Sequence, residues 1–156
     1  MKKFEILMAL AMIASPALAD FWTNCTTFGG KIITANSYGN DKGGKCNDPS
    51  NPDLSNNCNG KRFCIGSQAM NWWSTFTWCE SLGGEPATFD SLCPTCSQVW
   101  GYCPNLKSIL SSGDLYRGNA PRNSDSTWLF NLKDGIIDYA GGGHRGFSYK
   151  PICQEK

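Results

Sequence analysis

The stretch that decides the fold is QAMNWWSTFTWCESLGG, residues 68–84. Its apolar residues recur at three- and four-residue steps, which predicts an amphipathic helix over residues 68–82. Ser67 can cap the start of this helix, and Gly83-Gly84 can end it in the left-handed conformation. The predicted apolar face consists of Ala69, Trp72, Trp73, Phe76, Cys79 and Leu82. Trp78 falls off this face, so we expect it to be the more exposed tryptophan.

Strand-forming runs follow the helix toward the end of the chain. Residues 128–132 and 136–139 are rich in β-formers, and the Asp-Gly pair between them is a strong hairpin signal. Residues 87–89 and 147–153 are typical of further strands, and residues 106–110 of a second short helix. One main amphipathic helix and antiparallel strands together predict an α+β fold.

The first 19 residues carry the parts of a secretory signal peptide. Lys2 and Lys3 precede an apolar segment, and Ala17-Leu18-Ala19 places small residues where a signal peptidase reads them. The apolar run is shorter than the roughly 20 residues of a membrane span, and nothing later in the chain is apolar enough for one. We therefore expect cleavage after Ala19 and export to the periplasm, cell surface or extracellular space.

All nine cysteines follow the predicted cleavage site, in a mature chain of 137 residues (156 − 19). That length fits one domain, and such cysteine use in an exported chain predicts a disulfide framework. Because nine is odd, at least one thiol is free or joins a second chain, as in a disulfide-linked dimer. Residues 20–60 are polar and turn-rich, and we expect an N-terminal lobe there, pinned by Cys25, Cys46 and Cys58.

The charge of the mature chain is balanced. Without Lys2, Lys3 and Glu5, the 14 basic and 13 acidic residues become 12 and 12. No basic run is present that would favour nucleic acid or an anionic membrane. The charge pattern therefore excludes a nucleic-acid-binding protein and identifies no other partner.

The helix and the residues after it resemble the C-type-lectin-like domain. The family pattern is roughly W-x-x-A-x-x-x-C-x-x-x-G-G-x-L-A, which Trp73, Cys79, Gly83-Gly84 and Ala87 match. Thr75-Phe76-Thr77 replaces the usual small residue, and Pro86 stands where leucine is common.

The end of the chain is also similar to that family. Tyr149-Lys150-Pro151-Ile152-Cys153-Gln154 is close to the family's aromatic-x-x-[FI]-C-[EK] ending. The resemblance covers residues 61–156 and implies a small disulfide-rich domain in which Cys79 pairs with Cys153. A bridge closing a loop of about 75 residues would contribute on the order of 4 kcal/mol.

The sugar-binding signature of the family is not matched. Its members carry Glu-Pro-Asn or Gln-Pro-Asp and then Trp-Asn-Asp, which coordinate Ca²⁺ and sugar hydroxyls together. Here Glu85-Pro86-Ala87 lies at the diglycine and lacks the amide, and Trp-Asn-Asp is absent. Only Asn119, Asn123 and Asp125 could substitute. We expect no cofactor and no metal site, and the family's second internal disulfide also lacks a match.

Two groups suggest catalysis, but each has a simpler interpretation. Cys93-x-x-Cys96 lacks the strand and helix that a thioredoxin-type pair needs, so a structural disulfide is the better prediction. His144 is the only histidine, and no serine lies in a nucleophile-elbow pattern. We interpret His144 as a surface loop residue and the chain as a non-enzyme.

The function that this reasoning favours is an exported, non-catalytic recognition domain. Its ligand would be a glycan, a protein or an envelope polymer, bound by the loops at 113–128 and 141–146. The side chains predicted to bind are Asn119, Arg122, Asp125, Trp128 and Arg145. The alternatives are a structural subunit of a cell-envelope or pilus-like assembly, joined through the odd cysteine, and an exported enzyme that uses His144 or Cys93 and Cys96.

Overall fold

The computed structural model describes residues 19–36, 59–93, 101–138 and 144–156. In these ranges the chain forms three α-helices, one 3₁₀ turn and eight strands. The helices are α1 (Phe21–Thr27), α2 (Trp72–Ser81) and α3 (Phe89–Leu92), and the 3₁₀ turn is Pro104–Leu106. The strands are β1 (Lys31–Asn36), β2 (Asn59–Ile65), β3 (Gly84–Pro86), β4 (Gly101–Tyr102), β5 (Leu115–Arg117), β6 (Leu129–Asn131), β7 (Ile136–Asp138) and β8 (Lys150–Glu155).

The strands of the described residues form one sheet, in which β8 pairs with three other strands. The order is β1-β2-β8-β5-β6-β7-β4, and β3 also pairs with β8. β8 is antiparallel to β2 and β3 but parallel to β5, with Tyr116 opposite Lys150. The α+β class is therefore confirmed, but the sheet is mixed rather than wholly antiparallel.

The two faces of β8 serve two separate cores, because successive side chains of a strand point to opposite faces. Ile152 packs in the larger core with residues of β2, α3 and β6. Cys153 packs in a smaller core formed with α1 and the end of α2. Helices α1 and α2 thus pack on one face of β8, and α3 and the 3₁₀ turn contribute to the core on the other.

Helix α2 begins four residues later than the sequence predicts. Asn71, not Ser67, is its N-cap, and its side-chain oxygen accepts from Ser74 N at 2.9 Å. Met70 exchanges two backbone hydrogen bonds of 2.9 Å with Tyr149, which holds the preceding residues extended. The predicted end is confirmed, since Gly83 has φ +86°, a value that glycine adopts readily.

The buried face of α2 differs from the predicted one in which tryptophans it contains. Trp72 and Thr75 are buried, whereas Trp73 is 61% exposed, so the prediction of a core role for Trp73 was wrong. Trp78 is half-buried against the smaller core, which corrects its predicted exposure. Trp72 and Thr75 lie seven and four residues before Cys79, so they occupy the W-x-x-A-x-x-x-C positions in place of Trp73.

The N-terminal lobe joins the same sheet as the rest of the chain. Its described part begins with helix α1, which the sequence analysis missed, capped by Asp20 through a 2.8 Å bond from Thr23 N. β1 pairs with β2, and the predicted boundary at residue 60 falls inside β2. The Cys25–Cys64 disulfide also crosses that boundary. Cys46 and Cys58 lie outside the described residues.

Other predicted elements are shifted or shortened. The strand predicted at 87–89 is instead β3 followed by helix α3, whose N-cap Thr88 accepts from Ser91 N. The helix predicted at 106–110 is only the end of the 3₁₀ turn. The β6–β7 hairpin is confirmed, with Gly135 at φ +70° in its turn.

Three disulfides join the six cysteines of the described residues: Cys25–Cys64, Cys79–Cys153 and Cys93–Cys103. The pair Cys79–Cys153 is the one that the lectin-like resemblance implies. Cys93 is bonded to Cys103, which excludes the redox pair with Cys96 in this state; Cys96 itself is not described.

No helix in the described ranges is long and apolar enough to cross a membrane. The predicted signal peptide lies almost wholly outside those ranges and remains a prediction.

We predict that replacing Cys79 and Cys153 together by alanine lowers the free energy of unfolding by about 4 kcal/mol. The bridge spans a sequence separation of 74 residues and so restricts the unfolded chain strongly. Replacing Cys93 and Cys103, separated by 10 residues, is the matched control with a smaller expected loss of about 3 kcal/mol. Denaturant unfolding measures both, and a larger loss in the control would contradict the argument.

Candidate functional site

Arg117, at the end of β5, is fully buried and faces backbone carbonyls rather than a carboxylate. Its Nη1 donates to Phe147 O at 2.7 Å, and its Nη2 donates to His144 O at 2.8 Å. Nε donates to Thr127 Oγ1 at 3.2 Å, and Nη1 also donates to Arg145 O at 3.3 Å. One guanidinium therefore holds two loop segments that are far apart in sequence.

Burial lowers the pKa of Arg117 to about 10, because desolvation disfavours the charged form. The side chain still carries its proton at neutral pH and can donate every one of these hydrogen bonds. The Tyr149 ring lies 4.7 Å from the guanidinium carbon and adds a cation–π contact. Arg117 was not predicted from the sequence, where its only signal is one charge within the strand-like run Leu115-Tyr116-Arg117.

The two segments held by Arg117 form one surface, which we call the loop platform (residues 121–127 and 144–147). Ser126 pairs with His144, and Arg145 N donates to Asp125 O at 2.9 Å. Within the first segment, Asn123 Oδ1 accepts from Asp125 N and from Ser126 N and Oγ, all within 2.9 Å. These internal bonds give the platform a defined shape.

The structure brings together some of the predicted binding residues. Arg122 and Asp125 are exposed on the platform, and Arg145 is half-buried beside them. Trp128 is only 6% exposed and belongs to the larger core, so its direct contact with a ligand is confined to a small edge. It supports Arg122, whose guanidinium lies 5.6 Å from its ring. Asn119 precedes the platform in the chain, and its backbone N donates to Ala87 O at 2.7 Å.

Arg145 has the least satisfied side chain of the platform. Its guanidinium lies 4.8 Å from the Trp72 ring, and its Nη2 reaches Asn123 O at 3.5 Å. Its Nε is buried and has no hydrogen-bond partner among the described residues. A buried donor left unpaired costs about 1–3 kcal/mol.

Two exposed aromatic side chains belong to the two segments that meet at Arg145. Trp72 N donates to Arg145 O at 3.0 Å, so the start of α2 lies against the platform. Trp73, the next residue, is 61% exposed, and Phe147 on the platform is 53% exposed. The region therefore combines planar cations, one carboxylate and open aromatic rings.

The histidine of the platform is arranged as part of a turn. His144 Nδ1 accepts from Gly146 N at 3.1 Å, and its ring packs edge-on against Phe147. The hydroxyl of the paired residue Ser126 donates to Asn123 and not to the imidazole. Within the described ranges, no three His, Cys, Asp or Glu side chains lie close enough to hold a metal ion.

We predict that Arg117→Lys lowers the free energy of unfolding by about 3 kcal/mol, because one ammonium cannot satisfy four acceptors on separate segments. Hydrogen exchange should also speed up at residues 144–149. Arg122→Met is the control, since its guanidinium is exposed and its contact with Trp128 contributes about 1 kcal/mol at most. Equal stability of the two variants would contradict a clamping role for Arg117.

The chain was also compared with known proteins. No protein-family model, curated protein or solved structure matched it.

Proposed function

We propose that this chain is an exported, non-catalytic recognition domain that binds a glycan through the loop platform. One observation carries the proposal. The Arg145 guanidinium packs on the Trp72 ring, and Trp73, the next residue of α2, is 61% exposed. A ligand that supplies an acceptor to Arg145 and a flat apolar face to Trp73 fits this arrangement.

Sugars have both properties. Their hydroxyl and ring oxygens accept hydrogen bonds, and their C–H faces pack on aromatic rings, which favour partners with one apolar side and one polar edge. Asp125 adds an exposed carboxylate that can accept from sugar hydroxyls. Few polar groups placed around an aromatic surface are the usual composition of a small-ligand site.

A C-type-lectin-like fold is part of the proposal. It is supported by the helix motif, by the C-terminal motif and by the disulfide that ties α2 to β8. In such a scaffold, ligand contacts come from loops held by a stapled core. Asn123 Oδ1 is already occupied by three internal donors, which supports binding that does not depend on Ca²⁺.

We predict that Trp73→Ala weakens glycan binding at least fivefold, because it removes an aromatic contact of about 1 kcal/mol. The side chain is mostly exposed, so the fold should be retained. Tyr102→Ala is the matched control, since Tyr102 is an aromatic residue of 49% exposure on β4. A glycan array probed with both variants, with and without a Ca²⁺ chelator, is the measurement.

The same array decides against the proposal in two ways. No bound glycan in either condition would remove the lectin-type function. Equal losses for Trp73→Ala and Tyr102→Ala would mean that binding does not use Trp73.

A structural subunit is the second candidate, and the cysteine count favours it. Six of the nine cysteines pair with one another, so Cys46, Cys58 and Cys96 cannot all pair within the chain. A thiol left over in this way can join two chains. We expect a dimer on a non-reducing gel that becomes a monomer on reduction; a monomer under both conditions argues against this candidate.

A further inference from the structure

A pocket with both polar and apolar lining residues lies beside strands β1, β2, β8 and β5. Its volume is about 240 Å³, and it shares no residue with the platform. Lys31 of β1 and Ile65 of β2 lie opposite each other on one wall, and Lys150 of β8 lies next to Tyr116 of β5 on another. The segment 110–114 closes the third side. Four strands and one loop therefore build it.

The charged groups of the pocket are only partly paired with one another. Lys150 Nζ contacts Asp114 Oδ2 at 2.7 Å, and Ser112 Oγ donates to the same oxygen at 2.7 Å. Asp114 Oδ1 has no donor among the described residues. Lys31 forms no ion pair within the described ranges and is exposed. Two ammonium groups thus face one carboxylate, which leaves one positive charge in excess.

Both members of the ion pair are charged at neutral pH. The hydrogen bond from Lys150 lowers the pKa of the Asp114 carboxyl, and the same bond raises the pKa of Lys150. Burial raises the pKa of Tyr116, so its phenol remains protonated at the base of the pocket. A ligand therefore meets cations, one acceptor carboxylate and the hydroxyls of Ser67, Ser111 and Ser112.

We propose that this pocket binds one acidic sugar residue, with its carboxylate on Lys31 and Lys150 and its hydroxyls on Asp114 and the serines. Its size is below the roughly 300 Å³ of pockets for drug-sized ligands, which suits a single sugar ring. Asp114 would repel a more highly charged anion such as phosphate. A simple carboxylate would leave Asp114 Oδ1 and the serine hydroxyls without new partners.

This site differs from the one in the proposed function, so each can fail without the other. The proposed glycan site offers Arg145 of the platform and exposed Trp73 of α2, and the pocket offers two ammonium groups and a carboxylate. An envelope polysaccharide that contains uronic acids could occupy both, but the pocket needs only one such unit.

The test is a nitrogen-15 NMR titration of the exported protein with D-glucuronic acid, beside D-glucose and acetate. We expect saturable shifts at Lys31, Ser112 and Lys150 with glucuronic acid and much weaker ones with the other two. Lys31→Gln should weaken the binding about tenfold, since it removes one charged hydrogen bond. Lys133→Gln, at an exposed lysine in the β6–β7 turn, should change nothing.

Three results would overturn the proposal. Equal binding of acetate would indicate a general anion site, and equal binding of glucose would indicate a neutral sugar site. Absence of saturable shifts at the pocket would exclude the ligand class altogether. Trp73→Ala should leave the glucuronic acid shifts unchanged, and Lys31→Gln should leave the glycan array unchanged, which separates this site from the platform.

Discussion

The disulfide between Cys79 and Cys153 is the constraint on which the other contacts depend. It fastens α2 to β8, and β8 is the strand that β2, β3 and β5 all pair with. The same strand supplies Ile152 to the larger core and Cys153 to the smaller one. Both cores of the domain therefore pack on one strand, and that strand is covalently bonded to α2.

The position of the loop platform depends on β8, because β5, which carries Arg117, pairs in parallel with that strand. Arg117 lies opposite Pro151 in that register, so its guanidinium lies close to residues 144–147, just before β8. A buried charge is costly, and here four neutral acceptors offset that cost in place of a carboxylate. Arg117 therefore needs no buried carboxylate as its partner.

The sequence was a good guide where a local signal dominates. Helical periodicity predicted α2 and the inward direction of Cys79, and Asp-Gly predicted the β6–β7 hairpin. It failed at Trp73, because Trp72 and Trp73 are equally apolar and only the packing of the folded chain shows which of them is buried. Helix α1 was missed because seven residues carry little periodicity and are held by the Cys25–Cys64 bridge. Arg117 could not be assigned, since three of its acceptors are main-chain carbonyls 27 to 30 residues away.

The central position of β8 also affects when the domain can fold. It occupies residues 150–155, so the β1–β2 pair meets this neighbour only after the whole segment between β2 and β8 has been made. Such long-range pairing is slow, because the loop-closure entropy must be overcome before the contacts form. The sheet therefore cannot close before β8 is made, and β2 lacks this neighbouring strand until then.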